Sequence, residues 1–169
     1  MRNALRSATL TVGLAAAAMV MTSTNAQAAN FGCTPTVVTG LGFSVTMPCR
    51  PNFETVKPSI DRIGGASYTA SSATRDYTFA YGDYNKDIND FSDFRDNIKG
   101  QVVRVLADQS VKINGTPGWA ISAVRADGTR ALYYSFIRGR RMFVLVAYNT
   151  GENPYPTEVT DFVFSLRIW

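Results

Sequence analysis

The chain has 169 residues, 46% of them hydrophobic and 12% aromatic, enough to bury one good core, so a single domain is the natural count. Its formal net charge of +4 gives no electrostatic reason to expect a nucleic-acid partner. It holds no histidine, which removes the commonest general base near neutral pH together with every Ser-His-Asp and Cys-His arrangement.

From the N-terminus, Met1-Arg2-Asn3-Ala4-Leu5-Arg6 is a short cationic start, Ala8 to Met21 is an apolar run, and Thr22 to Ala29 ends in small residues around Ala26-Gln27-Ala28. That is the three-part build of a secretory signal peptide, cleaved to leave residues 29–169 as one exported domain, periplasmic or secreted. The apolar run is shorter than the roughly 20 residues of an ordinary anchor, and no Lys or Arg cluster follows it, so no transmembrane span is expected after cleavage. Cys33 is preceded by Asn30-Phe31-Gly32, which lacks the small-residue approach of a lipid-attachment cysteine. Removing Arg2 and Arg6 takes seventeen basic residues to fifteen against thirteen acidic ones, a mature net charge of +2.

Export also gives the two cysteines, Cys33 and Cys49, an oxidising compartment in which to form a disulfide. The bridge would pin the N-terminal segment to the end of the first strand. Their spacing is not C-x-x-C and no histidine or helix start lies beside them to lower a thiol pKa, which argues against a redox pair. Two cysteines without histidine are also too few for a zinc site.

Along the domain, Gly42 to Met47 alternates Phe43, Val45 and Met47 against Ser44 and Thr46, a period of two that predicts a strand ended by Pro48. Pro51 to Ser59 reads as extended ahead of Gly64-Gly65. Ser67 to Thr69 and Arg75 to Tyr81 read as a hairpin turning at Ala70-Ser71-Ser72-Ala73. A helix is predicted from Asn89 or Asp90 to Ala107, because Phe91, Phe94, Ile98, Val102 and Val105 recur at steps of three and four, with Asn89 or Asp90 as the cap.

The second half reads as a meander. Val111-Lys112-Ile113 leads through Asn114-Gly115-Thr116-Pro117-Gly118 into a strand from Trp119 to Arg125, and Asp127-Gly128 turns it into Arg130 to Ile137. Arg138-Gly139-Arg140-Arg141 turns that into Met142 to Tyr148. Both alternating sets of positions are largely apolar in these last two strands, so both sides of the sheet are expected to be covered. Thr157 to Leu166 places Val159, Phe162, Val163 and Leu166 at helical spacing, a second helix that could cover the other face. As a membrane-barrel strand that end fails, because counting back in twos from Trp169 meets Arg167 and Ser165.

The order Gly42-Phe43-Ser44-Val45-Thr46-Met47-Pro48, one long helix, Ile113-Asn114-Gly115-Thr116-Pro117-Gly118 before a strand, Asp127-Gly128, a Tyr-rich strand, Arg141-Met142-Phe143-Val144-Leu145 and Phe162-Val163-Phe164-Ser165-Leu166 resembles exported bacterial members of the Mog1/PsbP-like superfamily. The resemblance implies a single α+β domain, an antiparallel sheet covered by helices on both faces (an αβα sandwich). It also implies binding of other proteins rather than catalysis. The absence of His and the Cys33/Cys49 pair depart from the better-known members, so no photosystem or GTPase-partner role is carried across.

Sites for chemistry are few. There is no Gly-x-Ser-x-Gly elbow and no phosphate loop, so the chain is not expected to be an enzyme, no catalytic residue is assigned, and no cofactor is indicated. Asp83, Asp87, Asp90, Asp93 and Asp96 cluster in sequence and read as helix-start and surface groups, with a carboxylate-based enzyme as the alternative. Asp83, Asn85 and Asp87 supply oxygens at loop positions 1, 3 and 5 of a calcium pattern, yet Ile88 and Phe94 stand where Gly and Glu are wanted. Arg138, Arg140 and Arg141 form the one dense basic cluster, placed on a hairpin tip where it could meet an anionic lipid headgroup, a polysaccharide or an acidic protein. Asn114-Gly115-Thr116 matches a glycosylation site formally and reads as a turn. The expectation is therefore an exported non-catalytic binding or accessory module of the bacterial envelope, its protein, lipid or glycan partner unknown. A structural or chaperone-like component of an envelope complex is the alternative.

Overall fold

The computed structural model describes residues 33–148 and 157–169, and the expected leader lies outside them. Ten strands and two helices follow in the order β1 (Thr36–Gly40), β2 (Phe43–Met47), β3 (Asn52–Val56), β4 (Arg62–Ser71), β5 (Asp76–Tyr84), α1 (Ser92–Gln101), β6 (Arg104–Ile113), β7 (Thr116–Val124), β8 (Arg130–Arg138), β9 (Arg141–Tyr148), α2 (Thr157–Phe164) and β10 (Arg167–Ile168). Seven strands form one antiparallel sheet in the order β3-β4-β5-β9-β8-β7-β6, and three form a second, β1-β2-β10.

The large sheet has apolar residues on both sides where its strands are central. On one face Phe79 of β5, Leu145 of β9, Tyr134 of β8 and Ala120 of β7 stand in one cross-strand row, and Tyr81, Phe143 and Phe136 stand in the next. This face is closed by the small sheet and α2. Phe43, Val45 and Met47, the alternate residues of β2, are all but inaccessible to solvent, and Val159, Phe162, Val163 and Leu166 join the same cluster. Phe43 touches Phe79, Tyr81 and Phe143, with ring centroids 5.0, 5.2 and 5.7 Å away. The opposite face, with Met142, Val144, Val146, Tyr133 and Ile121, is closed over its β9–β6 half by Phe94 and Ile98 of α1.

The expected αβα sandwich with helices covering both faces is therefore corrected. The chain is mostly β, with two antiparallel sheets, and its two helices are only 10 and 8 residues long. Much of the layer opposite α1 is a second sheet, because the period-two stripe of β2 reaches into the core and β1 and β10 pair to its two edges. The first helix also stops at Gln101, not Ala107. Arg104 to Ile113 is strand β6, in which Val105 faces Ala123 across the ladder instead of continuing a helical stripe.

The N-terminal strand is held at its open end. Cys33 and Cys49 form a disulfide across a separation of 16 residues, just beyond the Thr36–Met47 pair that begins the β1–β2 ladder. The expected covalent pin between the N-terminal segment and the end of the Gly42–Met47 strand is thus present. At the closed end of the meander, Asn114 and Gly115 adopt φ of 51° and 84°, the left-handed pair that a two-residue hairpin needs. The Asn114 side-chain amide then donates to the carbonyls of Phe164, the last residue of α2, and of Leu166 just beyond it, at 2.9 and 2.7 Å, and Arg167 Nη1 donates to the same two.

Candidate functional site

The charged side chains of this fold divide into those spent on holding elements together and those left at the surface. Asp83 of β5 and Arg141 of β9 are direct cross-strand partners, and their contact is bidentate, Nε to Oδ1 at 2.6 Å and Nη2 to Oδ2 at 2.8 Å. The same guanidinium lies 4.7 Å over the Tyr81 ring and donates through Nη1 to the Leu41 carbonyl. Arg141 thus ties the β1–β2 turn to the large sheet. Hydrogen bonding to Asp83 raises its pKa further.

A second lock fastens α1. Asp108 of β6 accepts from Arg95 Nε at 3.1 Å and Nη2 at 2.9 Å, from Lys99 Nζ at 2.6 Å, and from the Trp119 indole. Arg95 also stacks 4.4 Å over Trp119. Donation by Arg95 first, then Lys99 and Trp119, holds the Asp108 carboxyl far below the usual carboxylate range against an opposing desolvation effect. A third pair, Arg75 with Glu158, joins the β4–β5 turn to α2 beside Tyr77, which packs edge-on to Phe162 at 5.4 Å.

These assignments place the sequence candidates. Of the calcium set, Asp83 is engaged by Arg141, Asn85 donates to the Ile60 carbonyl at 3.0 Å, and Asp87 is exposed. Among the described residues no group of three or more His, Cys, Asp or Glu side chains could hold a metal ion. The cap expected at Asn89 or Asp90 is corrected: Phe91 is the N-cap of α1 and has no side-chain cap bond, while Asp90, one residue earlier, accepts from the Ser92 amide at 2.8 Å, and Asp93 and Asp96 are exposed. Of the basic cluster, Arg141 is half-buried in its lock, whereas Arg138 and Arg140 are exposed on the β8–β9 turn. Gly139, with φ of 57°, supplies the first central residue of that turn. Tyr133 and Tyr134 point to opposite faces and both are buried, Tyr133 being pushed up to about 12 chiefly by desolvation.

The β8–β9 turn does not stand alone. Its Gly139 and Arg140 carbonyls accept the amides of Ile88 and Tyr84 at 3.1 and 2.8 Å, and Asn85 binds the loop of Ile60 and Asp61. On the other side the Gly42 carbonyl accepts the Trp169 amide at 3.0 Å. Five exposed apolar side chains ride on this end of the sheet: Leu41 and Ile60, 85% and 94% exposed, with Ile63, Phe164 and Trp169. Sequence reasoning singled out the arginines and missed these neighbours. Leu41 before Gly42, and Ile60 between Ser59 and Asp61, were the available signals, each an aliphatic residue in a turn setting.

Comparison with protein-family models and with curated protein sequences finds no match to the chain. A disulfide-bonded cysteine pair is compatible with a protein outside the cytoplasm, and among the described residues no helix is long and apolar enough to cross a membrane.

Proposed function

We propose that the chain is an exported, non-catalytic binding or accessory module of the bacterial envelope. The observation that carries this reading is the division among its charged groups. Asp83, Asp108 and Glu158 each hold a cation of the protein itself, while Arg138 and Arg140 stand exposed at an end of the sheet that also carries exposed Leu41, Ile60 and Trp169. Paired carboxylates are poor acids and bases, whereas an exposed mixed end is what an interaction surface needs. The leader-like N-terminus and the Cys33–Cys49 bridge support the periplasm or the exterior as the place of action.

The test is recovery of the tagged chain from native envelope after chemical cross-linking, with identification of bound protein, lipid and glycan. Reproducible enrichment of a partner over a scrambled-surface control is the expected result. Recovery of the chain alone would count against a binding role.

A further inference from the structure

We infer that the end of the large sheet carrying the β1–β2 and β8–β9 turns is a docking surface for an anionic phospholipid bilayer, an inference that rests on the binding-module reading above. The strand register fixes which side chains share this end. Val56 faces Gly65, Gly82 faces Met142, Met142 faces Ile137, and Ile113 faces Thr116, so the ends of β3, β6 and β8 and the starts of β4, β7 and β9 lie together. The Arg141 bond to the Leu41 carbonyl and the Trp169 bond to the Gly42 carbonyl bring the small sheet to the same level.

Two kinds of side chain project there. Leu41 and Ile60 are 85% and 94% exposed at separate turn apices, with Trp169 57% exposed beside the first. Around them Lys57, Lys86, Lys112, Arg138, Arg140 and Arg167 are exposed, against the carboxylates of Asp61, Asp87, Asp90 and Asp93, the last reaching Tyr84 as Asp61 does. Six cations less four anions leaves a local excess of +2. The hairpin turns at the opposite end differ, being tipped by Ser72-Ala73-Thr74 and Ala126-Asp127-Gly128, with Arg75 and Arg125 paired to Glu158 and Asp127, although the α1–β6 connection there exposes Val103 beside Arg104.

A bilayer suits this combination better than a soluble polyanion does. Separated aliphatic tips gain nothing from a polysaccharide, but each can enter the headgroup region independently while a Trp settles at the interface and Lys or Arg meets the anionic surface potential. The attraction acts within about 8 Å at physiological salt, so cations near the tips count most, and the register puts Lys112, Arg138 and Arg140 at or beside the turns of this end. With only six cations and a few shallow tips, the binding should be reversible and salt-sensitive.

The test is co-sedimentation of the chain with vesicles of phosphatidylcholine containing 30% phosphatidylglycerol and with pure phosphatidylcholine vesicles, across a salt series. Binding to the anionic vesicles, weakening with salt, is expected. Arg138→Gln/Arg140→Gln should lower the partition coefficient by about fivefold per arginine. Leu41→Ser/Ile60→Ser should lower it by about tenfold or more. All the proteins compared share the same N-terminal residues and exposed positions are changed, so melting temperatures should agree and the differences read this end alone. Absence of anionic-vesicle binding, or binding that both double variants retain in full, would overturn the inference. Retention on an anionic polysaccharide without vesicle binding would also overturn it while leaving the binding-module reading intact.

Discussion

Replacing both cysteines, Cys33→Ala and Cys49→Ala, removes the covalent tie at the open end of the β1–β2 ladder. The bridge closes a loop with a sequence separation of 16. In the chain-entropy treatment a loop of that size restricts the unfolded chain by about 10 cal/mol/K, or about 3 kcal/mol at room temperature. Most of this acts on the unfolded ensemble, so the loss should appear in the whole cooperative transition, lowering the melting temperature by roughly 10 °C. Local effects should come on top of that. Among the described residues β1 has only β2 as a strand partner, through five paired residues, and Val38 is its single buried residue. Hydrogen exchange read amide by amide separates the two contributions. Core amides of β8 and β9 should exchange about a hundredfold faster in the double variant, and those of β1 faster still. Unchanged exchange in β8 and β9, with faster exchange confined to β1, would refute the entropic reasoning and make the bridge a local clasp.

Asp108→Asn should destabilise the domain by about 2 kcal/mol at pH 7, because charged hydrogen bonds to Arg95 and Lys99 are lost together. The folded carboxyl is held below its unfolded value, so this contribution is fully present above about pH 4 and is lost as the pH falls toward the folded pKa. Urea midpoints of the two proteins should therefore converge in acid. Phe162→Ala should cost about 3 to 5 kcal/mol, since the ring is 2% exposed and packs against Tyr77, a loss measured by the same titration. Gly65→Ala should be nearly as damaging, because a Cβ there would stand 2.1 Å from the Tyr81 carbonyl oxygen within the β4–β5 ladder, and thermal melting will register it.

Local signals in the chain carried most of the hairpins. Asn114-Gly115, Asp127-Gly128 and Arg138-Gly139-Arg140-Arg141 each turn where the chain predicts, and each contains a glycine at positive φ. The helix boundary was harder to read. Val102 and Val105 continue a three-and-four spacing, yet Gly100 and the β-branched pair Val102-Val103 weaken a helix just there, and pairing with β7 claims the chain from Arg104 onward. That pairing reaches twenty residues along the chain, beyond the reach of periodicity. The second sheet was illegible for the same reason. Thr36-Val37-Val38-Thr39 has strand-forming composition, but β10 is two residues long and finds β2 across more than a hundred residues.

The candidate site was legible in half. Arg138 and Arg140 showed as a basic tip, while their fellow Arg141 proved to be a tie to Asp83, a distinction that only the cross-strand register makes. Leu41, Ile60 and Trp169 could not be grouped with them, because nothing in a linear pattern puts residues 41, 60, 140 and 169 at one end of a sheet.

Site-specific photo-cross-linking in the native envelope, with the reactive group placed in turn at Leu41, Arg140 and Ala126, tests most directly whether this end is where the protein binds. Positions 41 and 140 should yield adducts with an envelope component and position 126, at the opposite end, should not. Equal adducts from all three, or none from 41 and 140, would contradict the assignment.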